Sequence, residues 1–123
     1  IRVDWEEQKE VELVTLDQLI AEYGMPAFCK IDVEDYEAEV LKGLSHAIPG
    51  ISFEFFTWTY PRTSECIQLI DQLGNYEYNW SIGESQQLAS VEWLNMTDLC
   101  TGIQEIQDEV SGDIYARLIS LKP

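Results

Sequence analysis

Three carboxylates, Asp32, Glu34 and Asp35, close a short apolar run carried by Phe28, Cys29, Ile31 and Val33, and a fourth, Glu54, sits inside a second such run. Beyond the first cluster, Val40, Leu41, Leu44 and Ile48 recur at helical spacing, so the change of period marks a strand-to-helix turn. In an open α/β sheet, ligands bind outside the carboxyl ends of the strands, which is where this turn lies. A carboxylate there can take a proton from a reacting group or hold a cation. Asp32 and Glu34 share strand parity, which directs both to one face of the sheet or across its end. Asp32 is the first candidate for base or cation ligand and Glu34 the second. Glu54 belongs to a strongly apolar stretch, so its carboxylate needs a partner or a function to offset desolvation. The competing structural roles are specific: Glu34 and Asp35 capping the helix, and Asp32 pairing with Lys30.

The same pattern sets the elements that must position these groups. Residues 28–33 and 51–58 read as strands, the first apolar enough to be covered on both faces. The helix between them is terminated by Pro49 and Gly50, giving a βαβ unit with parallel strands and a right-handed crossover. Upstream, residues 11–15 have strand-like β-branched content, and Leu16, Leu19, Ile20 and Tyr23 mark one face of a helix. Thr15 is its expected N-cap, Asp17 favours its positive end, and Gly24 stops it. Downstream, residues 60–63 read as a loop whose Tyr60 and Arg62, with Trp58, could line a pocket, although packing roles are the commoner use. Ser64 is the expected cap of a helix with Cys66, Ile67, Ile70 and Leu73 on one face, ending at Gly74. Residues 76–82 alternate as a half-exposed strand, residues 88–93 read as a short further strand, and Thr97 is placed at the start of a helix reaching Val110. Residues 113–119 form the last strand, pairing antiparallel with 76–82 at a sheet edge. Residues 1–10 carry charge without periodicity and read as a lead-in to a single domain spanning 1–123.

The 123 residues suffice for one domain and are few for a complete doubly wound enzyme. A hydrophobic content of 46% excludes general disorder. Seven basic against twenty-three acidic residues give a formal charge of −16, which argues against nucleic acid and anionic membranes as partners and for a well-solvated surface. Cys29, Cys66 and Cys100 are odd in number and set in apolar surroundings, as expected for buried thiols of a cytoplasmic protein. His46 stands alone, at the expected end of a helix where a cation suits the dipole, and no CxxC pair exists to complete a zinc ligand set. No apolar run approaches the ~20 residues of a membrane span. The chain begins at Ile1 rather than Met, as a fragment, a processed product or a trimmed chain would.

Three stretches carry a further pattern: VTLDQLI at 14–20, KIDVEDYE at 30–37 with LKG at 41–43, and ISFE at 51–54. In order and spacing they resemble the FkbM family of S-adenosylmethionine-dependent methyltransferases, and YNWSIG at 78–83 and GDIYAR at 112–117 are similar to the end of some members. The resemblance implies an α/β fold, the carboxyl-side portion of a Rossmann-like class I methyltransferase sheet, with parallel strands followed by an antiparallel pair. It implies S-adenosylmethionine as cofactor and methyl transfer to a hydroxyl of a sugar or small metabolite, with Asp32, Glu34 and Glu54 on the acceptor side. No GxGxxG-type turn is present, so no cofactor-binding residues are assigned and the chain is not expected to act alone. The family usually has glycine directly after the glutamate of this motif, whereas this chain has Asp35, a residue that tolerates left-handed backbone better than most. The alternative is a non-enzymatic α/β module that pairs, for instance as a homodimer, through the free edge of strand 28–33.

Overall fold

The computed structural model describes residues 14–123. The lead-in at 1–10 and most of the strand expected at 11–15 lie outside the described residues. The first element, α1 (Leu16–Tyr23), forms because its ends are satisfied locally. The Gln18 N–H donates to Thr15 Oγ1 over 3.1 Å, and the Thr15 N–H donates to Gln18 Oε1 over 2.7 Å, a reciprocal capping box. Gly24 closes the helix at φ 93°, backbone that favours glycine. Asp17 does more than face the helix dipole: its carboxylate accepts from the N–H and hydroxyl of Ser45, each over 2.7 Å. Those bonds hold its pKa below the usual 3.8 and tie α1 to the chain after the second helix. His46 stands 3.9 Å from the same carboxylate, in the turn rather than on a helix.

The sheet comprises β1 (Phe28–Ile31), β2 (Gly50–Phe56), β3 (Asn75–Ile82) and β4 (Ser111–Ser120) in the order β1-β2-β4-β3. β1 and β2 are parallel, with Phe28 opposite Gly50 and Ile31 opposite Phe53, and α2 (Glu37–Lys42) forms the crossover. β4 runs antiparallel to both neighbours, inserted between β2 and β3, so of the last two strands only β3 occupies an edge. β1 stops at Ile31, two residues earlier than the apolar run suggests, because the following residues turn away before pairing with β2.

The helices of the described residues pack on one face of this sheet. There Ile31, Phe53, Phe55, Tyr78 and Ile114 meet Val40, Leu41, Ile67, Ile70, Leu99 and Ile103 in a single core. The opposite face, fixed by the period of two and the register, carries Lys30, Ser52, Glu54, Asp113, Tyr115, Asn79 and Ser81. The expectation that strand 28–33 is covered on both faces therefore fails for β1 among the described residues, whereas Ser52, Asn79 and Ser81 on the opposite face of the sheet are buried. Exposure along β1 alternates down to buried Ile31, and Glu54 is exposed while Phe53 and Phe55 beside it are buried.

Three local boundaries differ from the sequence expectation. α3 (Tyr60–Asp71) begins at the residues expected to loop, entered by a 3-10 turn over Thr57–Thr59 and started by Pro61, whose missing N–H costs nothing in a first turn. Ser64 is thus inside the helix, where its hydroxyl accepts from Gln68 over 3.2 Å. The cap of α4 (Met96–Gln104) is Asn95, accepting from the Asp98 N–H over 2.8 Å, and the helix ends well before Val110. Val110 is drawn into backbone pairing with Thr57 instead. Residues 88–93 form no strand. They belong to a strap along the outer edge of β3, held where Tyr78 and Leu94 exchange backbone hydrogen bonds and where the Arg117 guanidinium covers the Trp93 ring at 4.0 Å. Among the described residues no helix is long and apolar enough to cross a membrane.

Candidate functional site

At the carboxyl ends of β1 and β2 the sheet opens into a groove of about 680 Å³. Lys30, Ile31 and Asp32 supply one wall, Glu54 the centre, and Ser81, Gly83, Gly112, Asp113 and Tyr115 the other. The inserted antiparallel strand explains this assembly. β4 sets Asp113 opposite Glu54 on one side and Ser81 on the other, so residues from distant parts of the sequence share one surface.

Asp32 and Glu54 therefore line the same groove, whereas Glu34 does not line it. The strand-parity argument for Asp32 and Glu34 has no strand to act on, since β1 has ended and Glu34 turns with φ 32°. Nor do Glu34 and Asp35 cap α2: Tyr36 occupies the N-cap and no side chain bonds there. The pKa of Glu54 is raised, by partial desolvation first and then by repulsion from Asp113, Asp32 and Glu34, with Lys30 opposing. Among the described residues no three His, Cys, Asp or Glu side chains are grouped to hold a metal ion.

The turn that presents Asp32 is held from outside. Asp35 has φ 71°, the left-handed backbone that the sequence comparison with glycine anticipates. Its carboxylate meets Arg62 Nη1 at 2.9 Å, linking the loop after β1 to the first turn of α3, which follows β2. Arg62 is thus used as an ion-pair partner, and Trp58 remains largely exposed. Replacing Asp35 by glycine removes backbone strain of about 1 kcal/mol and an exposed ion pair of similar or smaller value. We expect Asp35→Gly to leave stability within about 0.5 kcal/mol. Asp35→Val, which loses the pair and adds β-branching at positive φ, should cost roughly 2 kcal/mol in urea denaturation.

Residues 2–79 match the family model described as the methyltransferase FkbM domain. The chain belongs to the FkbM methyltransferase family. A search of curated proteins finds no match. The matched stretch contains Asp32, Glu34 and Glu54 and ends within β3, so the groove of this FkbM chain has one wall inside the match and one beyond it. Ser81, Asp113 and Tyr115, on that second wall, lie within the stretches 78–83 and 112–117 that resemble the family, but those stretches do not mark them as site residues. The signal is alternation, which places Asn79 and Ser81 on one face of 76–82 and Asp113, Tyr115 and Arg117 on one face of 113–117.

Proposed function

We propose that the protein transfers a methyl group from S-adenosylmethionine to a hydroxyl of a sugar or small metabolite, with the groove as the acceptor side. The supporting observation is that an FkbM family chain brings Asp32 and Glu54 to one cavity at the carboxyl ends of its parallel strands. The cofactor, when bound, supplies a methyl carbon attached to a positively charged sulfur. The described residues offer it no glycine-rich turn between strand and helix; the turn after β1 carries Asp32, Glu34 and Asp35 instead. Its binding is therefore assigned to none of them. Asp32, exposed at the end of β1, accepts the proton of the reacting hydroxyl. Glu54, whose proton affinity is raised by partial desolvation and then by its acidic neighbours, exchanges a hydrogen bond with the same acceptor and holds it against the sheet. Positioning supplies much of such a rate, because the reaction is a displacement that requires alignment. Incubating the intact protein with methyl-labelled S-adenosylmethionine and a panel of monosaccharides and polyols tests the reading. Label should appear in a hydroxylated acceptor, and label that stays in the cofactor with every one of them overturns it.

A second reading rests on the outer edge of β1, which has no paired strand among the described residues and carries Phe28 at 55% exposure. Such an edge can pair with another chain, most simply a second copy. Sedimentation should then show a dimer, and a monomer at high concentration removes this reading.

A further inference from the structure

We propose that the Ser81 and Tyr115 hydroxyls form the element of the groove that selects an uncharged, polyhydroxylated acceptor. This deepens the acceptor-side reading above and rests on it. Ser81 lies one residue before the end of β3 and Tyr115 lies in β4, in strands paired through Ser81 opposite Asp113 and Asn79 opposite Tyr115. Their oxygens are 3.2 Å apart, and either can donate to the other. Ser81 is 1% exposed, so its hydroxyl is set into the groove wall rather than free on the surface.

Because Ser81 is buried, the pair meets a ligand through the Tyr115 hydroxyl, which has its proton free when Ser81 donates and its lone pairs free when it donates to Ser81. By rotating, the pair can offer a donor or an acceptor, which complements a ligand hydroxyl that is itself both. The half-buried Tyr115 ring adds an apolar face of the kind that packs against the C–H side of a sugar ring. Charge sets the second half of the selection. Among the described residues Asp32, Glu54, Asp113 and Glu84 border the groove against one cation, Lys30, so a ligand carboxylate or phosphate meets net repulsion, while neutral hydroxyls find carboxylate acceptors. The raised proton affinity of Glu54 agrees with that crowding.

Backbone amide shifts in NMR, recorded without cofactor, test the inference. Methyl α-glucopyranoside titrated to tens of millimolar should move the amides of Ser81, Gly83, Gly112 and Tyr115, with glucuronate moving them at least fivefold less at equal concentration. Tyr115→Phe and Ser81→Ala should each weaken the neutral sugar at least threefold while keeping the dispersed spectrum of the folded protein. Equal or larger shifts with glucuronate, no groove shifts with the glucoside, or unchanged binding in both variants overturns the inference. Sugar binding that follows the expected pattern without any methyl transfer would leave this selection standing and remove the transferase reading instead.

Discussion

Gly112→Ala is expected to destabilise the protein by roughly 3 kcal/mol or more, an overpacking effect at the upper end of its range. A Cβ at this position overlaps the Ser81 carbonyl oxygen and comes within 2.9 Å of Phe55 Cε1. The first obstacle is backbone of the neighbouring strand, which no rotamer change can move. Relief requires β3 and β4 to separate where Ile82 pairs with Gly112, the rim of the groove. Gly102→Ala provides the control: its Cβ meets the Trp80 ring at 2.6 Å, but a side chain at the surface of the core can tilt, so the loss should be smaller. Urea denaturation of the two variants gives the comparison. A Gly112→Ala midpoint equal to the wild-type value would mean that β3 and β4 do not meet in this register.

The fold is legible wherever one local rule acts without competition. Thr15 and Gly24 mark both ends of α1 within ten residues of sequence, the structure adopts that reading, and Gln18 completes the cap. The βαβ unit follows from a change of hydrophobic period around Asp32, and its parallel pairing is observed. Boundaries are less legible where two rules compete. Pro61 marks a loop in one context and a helix start in another, and only the 3-10 turn after β2 decides for the latter. Asn95 and Thr97 are both good caps, and the first to reach an orphan N–H prevails. The position of β4 is not legible in local pattern, since an antiparallel strand can join either edge or insert, and the choice depends on which partner ladder is free. That insertion brings Ser81, Asp113 and Tyr115 to Asp32 and Glu54, so half of the groove depends on a strand pairing that the stretches 78–83 and 112–117 do not reveal by themselves. The burial of Glu54 fails for a related reason. An apolar stretch with one charged residue looks buried throughout, but the period of two lets Glu54 face outward while Phe53 and Phe55 face the core.

Asp32→Asn should lower methyl transfer by roughly 10²–10⁴-fold, the usual contribution of a positioned base, with stability within about 0.5 kcal/mol of wild type because the side chain is exposed. Glu54→Gln separates proton transfer from folding in the opposite sense. Repulsion and desolvation raise the Glu54 pKa above its ordinary 4.5, so the folded protein binds that proton more tightly than the unfolded chain does. The stability linked to this group is fully present below about pH 4.5 and is lost as pH rises through the raised value. At neutral pH the ionised carboxylate thus opposes folding, and glutamine, which carries no charge, removes that cost. Glu54→Gln should unfold at a higher temperature than wild type at pH 7, with the gap closing as the pH falls from the raised value to about 4.5. Its methyl transfer should nevertheless fall, since glutamine cannot exchange a proton with the acceptor. A gain in stability joined to a loss of activity is what a group retained for chemistry produces, whereas a carboxylate with no part in the reaction would show the gain alone. If Glu54→Gln kept full activity and Asp32→Asn did as well, the two carboxylates would be excluded as acceptor-side groups, and the groove would have to act through Lys30, Ser81 and Tyr115 alone.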